Sequence, residues 1–181
     1  MRRHGRGSVG TSRLYTAQER LRRDASRWTL VQGVLAPLQF GVFLVSLILV
    51  LRFLATGEGL AAATASIVVK TLALYLIMVT GSIWEHEVFG VYLFARPFFW
   101  EDVFSMLVLA LHTAYLVVLY TGALEPHEQM LLALAAYASY LINAGQFLAK
   151  LRAARREAHR DPGANPGANL VPTARAVPVG E

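Results

Sequence analysis

Residues 84–102 read WEHEVFGVYLFARPFFWED, and the fold turns on how this stretch is understood. It lies between two long apolar runs. It carries four acids (Glu85, Glu87, Glu101 and Asp102), one histidine (His86) and one arginine (Arg96), with aromatic residues between them. A Trp-acid pair opens it (Trp84, Glu85) and another closes it (Trp100, Glu101). Pro97 breaks any helix before the second run begins. As a connector, the stretch joins those two runs. Its Val88–Phe99 portion is too apolar for a free loop, so it is expected to lie in a membrane interface or to turn back into the bundle. Carboxyl groups beside Trp and Phe at a membrane edge can hold a proton near neutral pH, which makes this the expected seat of chemistry.

Composition outside the stretch agrees with a membrane protein. The 181 residues are 55% hydrophobic and only 16% charged, with mean hydropathy +0.45. A soluble domain carries about 25% charged residues. Cysteine is absent, which excludes disulfides, thiolate catalysis and Cys-ligated metals. The net charge of +5 comes from arginines flanking apolar spans, so it does not indicate nucleic-acid binding. The first apolar run is too long for a signal-peptide core and lacks a small-residue cleavage site, so no signal peptide is expected.

The expected fold is all-α: a polytopic bundle of four transmembrane helices within residues 16–155. The spans fall near Trp28–Leu51, Leu60–Trp84, Glu101–Gly122 and Glu128–Ala149. At about 1.5 Å per residue each can cross a hydrocarbon core of about 30 Å. Pro37 sits inside the first span and is a potential kink. Residues 1–15 form a basic tail expected to be disordered. Residues 156–181, rich in Pro, Gly and Ala with a PGAN repeat, form a second. Thr16 and Glu19 have capping-box spacing, so a helix is expected to start there. Arg20, Arg22, Arg23 and Arg27 make a basic collar before the first span. Both tails are rich in arginine, while the turns near Glu58 and His127 are not. The positive-inside rule therefore puts both termini and the central stretch in the cytoplasm.

Polar residues recur on helical faces. Gln32, Ala36, Gln39, Phe43 and Ser46 share one face of the first span. Glu101, Ser105, Val108 and His112 form a stripe on the third, and Ser139, Asn143, Gln146 and Lys150 one on the fourth. With alternating helix directions, Gln39, Lys70, His112 and Tyr140 fall near one level at mid-membrane. Asn143 and Gln146 lie between that level and the cytoplasmic face. A lysine at such depth costs roughly 2.5–3.5 kcal/mol on insertion scales, so it needs a partner or a ligand. Plain interhelical hydrogen bonding is the alternative for Gln39 and Asn143. An inward histidine in four helices is also how bundles bind tetrapyrroles. Glu85 leaves the second span as Glu101 enters the third, within a packing distance of about 8–10 Å. Two carboxyls that close, partly out of water, divide into an acid and a base. The bland alternative is that the acids merely cap helix ends. There is no Walker loop, dinucleotide glycine fingerprint, HExxH or nucleophile elbow.

WTLVQGVLAPLQF in the first span, TASIVVKTLALYLIMVTGSIWE in the second and FFWEDVFSMLVLALHTAYL in the third resemble the 3-vinyl bacteriochlorophyllide hydratase family of bacteriochlorophyll synthesis. The resemblance runs from about Tyr15 to Arg155 and leaves out the tails. It implies addition of water across the C3 vinyl group of a chlorophyllide, or of a 3-vinyl bacteriochlorophyllide, to give a 1-hydroxyethyl group. It implies no separate redox cofactor. It implies a multi-pass protein of the bacterial inner or intracytoplasmic photosynthetic membrane, among other enzymes of the same synthesis. It carries over no catalytic residues.

The residues suit that chemistry, which needs a proton donor for the terminal vinyl carbon and a base for the attacking water. Glu85 or Glu101 is expected to be the acid, and Asp102 or the other glutamate the base, with His86 a substitute in either role. Trp84, Tyr92, Phe98, Phe99 and Trp100 are expected to pack on the flat chlorin. His112 is a candidate axial ligand for its magnesium, and no metal site is expected from the protein alone. Lys70 and Arg96 are candidates to hold its carboxylate, and Gln39, Tyr140 and Asn143 to line the pocket. The main alternative is a non-catalytic carrier or assembly factor that binds chlorophyllide through His112. A small transporter is disfavoured by the lack of an internal repeat.

Overall fold

A computed structural model describes residues 15–160, with side chains from 15 to 153. The tail expectations for 1–14 and 161–181 lie outside the described residues. A short helix, α1 (Ala17–Ala25), opens the described chain. Its capping box forms as the spacing requires: the Glu19 N–H donates to Thr16 Oγ1 at 3.2 Å, and the Thr16 N–H to Glu19 Oε2 at 2.7 Å. The helix stops at Ser26, whose extended backbone starts the next helix and whose hydroxyl accepts from the Trp28 N–H. The sequence expectation lacked this break.

Four long helices follow: α2 (Arg27–Thr56), α3 (Leu60–Phe89), α4 (Phe99–Thr121) and α5 (Pro126–Arg160). Each contains a stretch long and apolar enough to span a membrane. Among the described residues there is no strand. α2 continues through Pro37. The turn between α2 and α3 uses Gly57 (φ 76°) and Gly59 (φ 84°), left-handed positions that a side chain would strain. α5 runs on to Arg160, into the part of the chain that its composition assigned to the tail.

The helices pair as two hairpins, α2 with α3 and α4 with α5. The hairpins meet along thinner seams, α2–α5 and α3–α4, and α1 rests on α3. The apolar core joins Phe43 and Val50 of α2, Ala63 and Ile67 of α3, Tyr115 of α4, and Met130, Ala133 and Tyr137 of α5. These positions lie toward the end of the bundle remote from residues 84–102. Ala63 and Ala133 let backbones approach there. Ser46 ties the hairpins together, bonding Tyr137 Oη at 2.5 Å and Ser66 Oγ at 2.7 Å. The inward face expected for α2 is present at Gln39, Phe43 and Ser46. Ala36 departs from it and is exposed. At that end Gln32 makes the contact instead, donating to Thr80 Oγ1 at 2.8 Å.

Candidate active site

The site sits at the opposite end of the bundle, where α3 and α4 are joined. α3 does not stop where its apolar run ends but continues to Phe89, so residues 84–87 are helical. Successive helical residues point about 100° apart. Glu85 and Val88 therefore face inward, while His86 and Glu87 are exposed. His86 stacks on Tyr92, with ring centroids 4.2 Å apart. Glu87 accepts a hydrogen bond from the Ser26 hydroxyl at the α1–α2 break. Of the expected site groups, His86 thus turns away from the others.

α4 starts at Phe99, and its first turn holds Glu101 and Asp102, both buried. Asp102 faces α3. Its carboxyl lies within hydrogen-bond reach of the Glu85 carboxyl, and the two side chains are 4% and 5% exposed. The connecting loop supplies donors to both. The Phe94 N–H donates to Asp102 Oδ2 at 2.7 Å, and the Ala95 N–H to Glu85 Oε2 at 3.4 Å. Phe94 has φ 62°, the one positive φ outside glycine among the described residues. Such a conformation costs of order 1–3 kcal/mol and persists where the surroundings enforce it. Here it aims two successive N–H groups at two carboxyls, as a backbone nest does. Phe94→Gly should keep activity and gain stability of about 1 kcal/mol, because the donor is main-chain and the strain is relieved. Phe94→Val should lose both, because a β-branched residue resists this φ. Thermal unfolding and turnover of the two variants check this.

Glu101 has a different partner. One residue before Asp102, it points toward α5, where Lys150 Nζ lies 2.6 Å from its Oε2. Lys150 also donates to the Pro97 carbonyl and sits 5.1 Å from the Phe98 ring centroid. Sequence spacing had set Glu85 against Glu101. The structure sets Glu85 against Asp102 and makes Glu101 half of an ion pair. Lys150 was visible on the polar stripe of α5. Because α4 and α5 are antiparallel, the start of one and the end of the other share a level, and that depth argument would have found the pair.

An aromatic wall adjoins the carboxyl pair. Phe98 packs edge-on to Trp84 at 5.9 Å and stacks on Phe147 at 6.0 Å. Tyr15, Phe89 and Val88 complete the cluster. The Trp84 indole donates to Thr29 Oγ1 at 2.9 Å, which fixes its plane. Burial raises the Tyr15 hydroxyl above its usual range, against an opposing pull from Arg23, so the ring serves as a neutral wall. Phe99, Trp100, Tyr92 and Arg96 are exposed instead. They lie outside that buried cluster.

From the carboxyl pair a polar column leads toward the middle of the bundle. Asn143 Nδ2 donates to Ser105 Oγ at 2.8 Å, while Asn143 Oδ1 and Gln146 Oε1 are buried without partners among the described residues. Deeper, His112 donates its Nδ1 proton to the Val108 carbonyl at 2.8 Å, because a carbonyl can only accept. Its Nε2 is buried and has no partner among the described residues. Lys70 Nζ lies over the Tyr140 ring, and the His112 ring is 5.9 Å from that of Tyr137. Gln39 is buried on α2. Of the four residues reckoned to share one level, Lys70 and Tyr140 do meet.

Over residues 15–153 the chain matches the family described as 2-vinyl bacteriochlorophyllide hydratase. The chain belongs to this family. It is 72% identical over 144 residues to the 2-vinyl bacteriochlorophyllide hydratase of Cereibacter sphaeroides, covering 79% of this chain and 89% of that one. It is 68% identical over 145 residues to the protein of the same name from Rhodobacter capsulatus, covering 80% and 84%. No solved structure matches. The family is one of hydro-lyases. The matched stretch of this hydratase-family chain takes in the carboxyl pair, the loop and the polar column. Its outward rings offer an internal control. Trp100 is 67% exposed and Phe99 45%. Trp100→Ala and Phe99→Ala should therefore leave turnover within about threefold, as surface changes away from packed features generally do. Product formation per inserted protein measures this.

Proposed function

We propose that the chain hydrates the vinyl group of a chlorophyllide- or bacteriochlorophyllide-type pigment, with Glu85 as general acid and Asp102 as general base. The observation that carries this is the buried Glu85–Asp102 contact under two loop N–H donors. Two carboxylates offer no proton to bond with and repel each other, so a pair in this position works as one acid and one carboxylate. The shorter main-chain bond falls on Asp102, which favours it as the carboxylate. Glu85, under the longer bond, holds the proton.

Glu85 gives its proton to the terminal vinyl carbon. The cation forms on the carbon attached to the ring and spreads into the macrocycle. Water adds its oxygen there and passes a proton to Asp102. The pigment gains one water as a 1-hydroxyethyl group, and the pair ends as it began, with one proton between two carboxyls. The aromatic wall of Trp84, Phe98 and Phe147 is the apolar surface against which a flat ring rests. Arginine-rich ends support a cytoplasmic placement of both termini and of this site, in the inner or intracytoplasmic photosynthetic membrane.

Purified chain mixed with vinyl pigment tests the proposal. Loss of the vinyl group from conjugation shifts the absorbance to the blue, and that shift is the expected result. Pigment that binds and stays unchanged would make the protein a carrier.

A further inference from the structure

At mid-bundle a lysine amine is buried without an acceptor among the described residues. Lys70 is 0% exposed, and among the described residues its Nζ has no hydrogen-bond partner. It faces the Tyr140 ring, 3.9 Å from the centroid. A cation over an aromatic face is favourable but leaves the ammonium donors unused. Gln39 Nε2 is buried and unpartnered as well. Gln39 is one helical turn from Phe43, whose ring packs on Tyr140 at 5.0 Å. His112 cannot act as a further donor here, because its proton is on Nδ1 and bonded to Val108. The nearest acid on the same helix, Glu85, is about 22 Å away along the axis. Two helices thus each bury a donor group, the Lys70 amine and the Gln39 amide, that has no acceptor among the described residues.

This place is connected to the carboxyl pair. Lys70 and Glu85 are both buried on α3, and His112 and Asp102 both on α4. The α3–α4 seam is one of the two thin seams of the bundle. His112 and Asp102 are about 15 Å apart along α4. A flat molecule in that seam presents one edge to the carboxyl pair and another toward Lys70.

We infer that Lys70, assisted by Gln39, anchors the free carboxylate of the substrate and so sets the pigment lengthwise in the α3–α4 seam. The inference rests on the hydratase reading. The carboxylate supplies the counter-charge that Lys70 lacks, and the anchor selects a free-acid pigment over its ester. Lys70 is a binding residue here and takes no part in proton transfer.

The test compares vinyl pigment as free acid and as methyl ester, on full-length chain in lipid nanodiscs. The wild type should show a KM for the ester raised roughly tenfold or more, the scale of a lost bond to a charged group, with kcat changed less. In Lys70→Met the ratio of the two KM values should collapse toward one, and Lys70→Arg should restore part of it. Equal KM values for acid and ester in the wild type overturn the anchor while leaving the hydratase reading intact. A Lys70→Met variant that weakens both pigments by the same factor also overturns it, since that is what a packing role would do. If Lys70→Met does not insert, the wild-type comparison of acid and ester decides. No turnover of either pigment by the wild type sinks the hydratase reading and the anchor with it.

Discussion

Glu85→Gln and Asp102→Asn should each lower turnover by about 10²–10⁴-fold, the usual contribution of a general acid or base. Both substitutions keep the size of the side chain and leave an oxygen for the loop N–H groups. What they remove is the proton that can be given or taken. Glu101→Gln should cost far less turnover, because its carboxylate serves Lys150 and does not face Glu85. The double variant Glu85→Gln/Asp102→Asn should be little worse than either single one, as groups acting as a unit are non-additive. Hydroxyethyl pigment formed per membrane-inserted protein is the measure. A severe loss in Glu101→Gln beside near wild-type turnover in the other two would move the chemistry to the wrong carboxylate for this account.

Lys150→Met should have the largest effect on stability. It leaves the buried Glu101 carboxylate without its cation and releases the Pro97 carbonyl. Breaking a buried pair from one side costs about 3–5 kcal/mol. Lys150 is 27% exposed, so water reaches part of the site and a cost below that range, about 2–3 kcal/mol, is expected. Glu101→Gln in the same background should recover most of the loss, giving a large coupling energy in the double-mutant cycle. Thermal unfolding in detergent reads both. Turnover should fall in Lys150→Met too, because Pro97 belongs to the loop that places the Phe94 and Ala95 N–H groups. Independent, additive losses in the cycle would mean that the ion pair is incidental.

The helices were legible because crossing a membrane demands a long uncharged run, and four such runs are plain in the chain. The capping box at Thr16 and the inward stripe of α4 followed from spacing alone. The end of α3 was not legible from apolarity. Helical hydrogen bonds continue past Trp84 without needing apolar side chains, and those extra turns decide which way Glu85, His86 and Glu87 point. The partner of Glu85 depended on one 100° step, between Glu101 and Asp102, that knowing the segment alone could not resolve. Phe94 gave no warning of its left-handed backbone, since such positions are usually marked by Gly or Asn. The surrounding bonds to Asp102 and Glu85 enforce it. The Lys70 level, by contrast, followed from counting residues along antiparallel helices.

The most direct test of the central claim is the absorbance of vinyl pigment held by the Glu85→Gln/Asp102→Asn double variant. The pair should be needed to move protons and not to bind the ring, so pigment should comigrate with the variant and keep its vinyl spectrum, while the wild type shifts it to the blue. A blue shift by the double variant at the wild-type rate would show that the protons travel by another route.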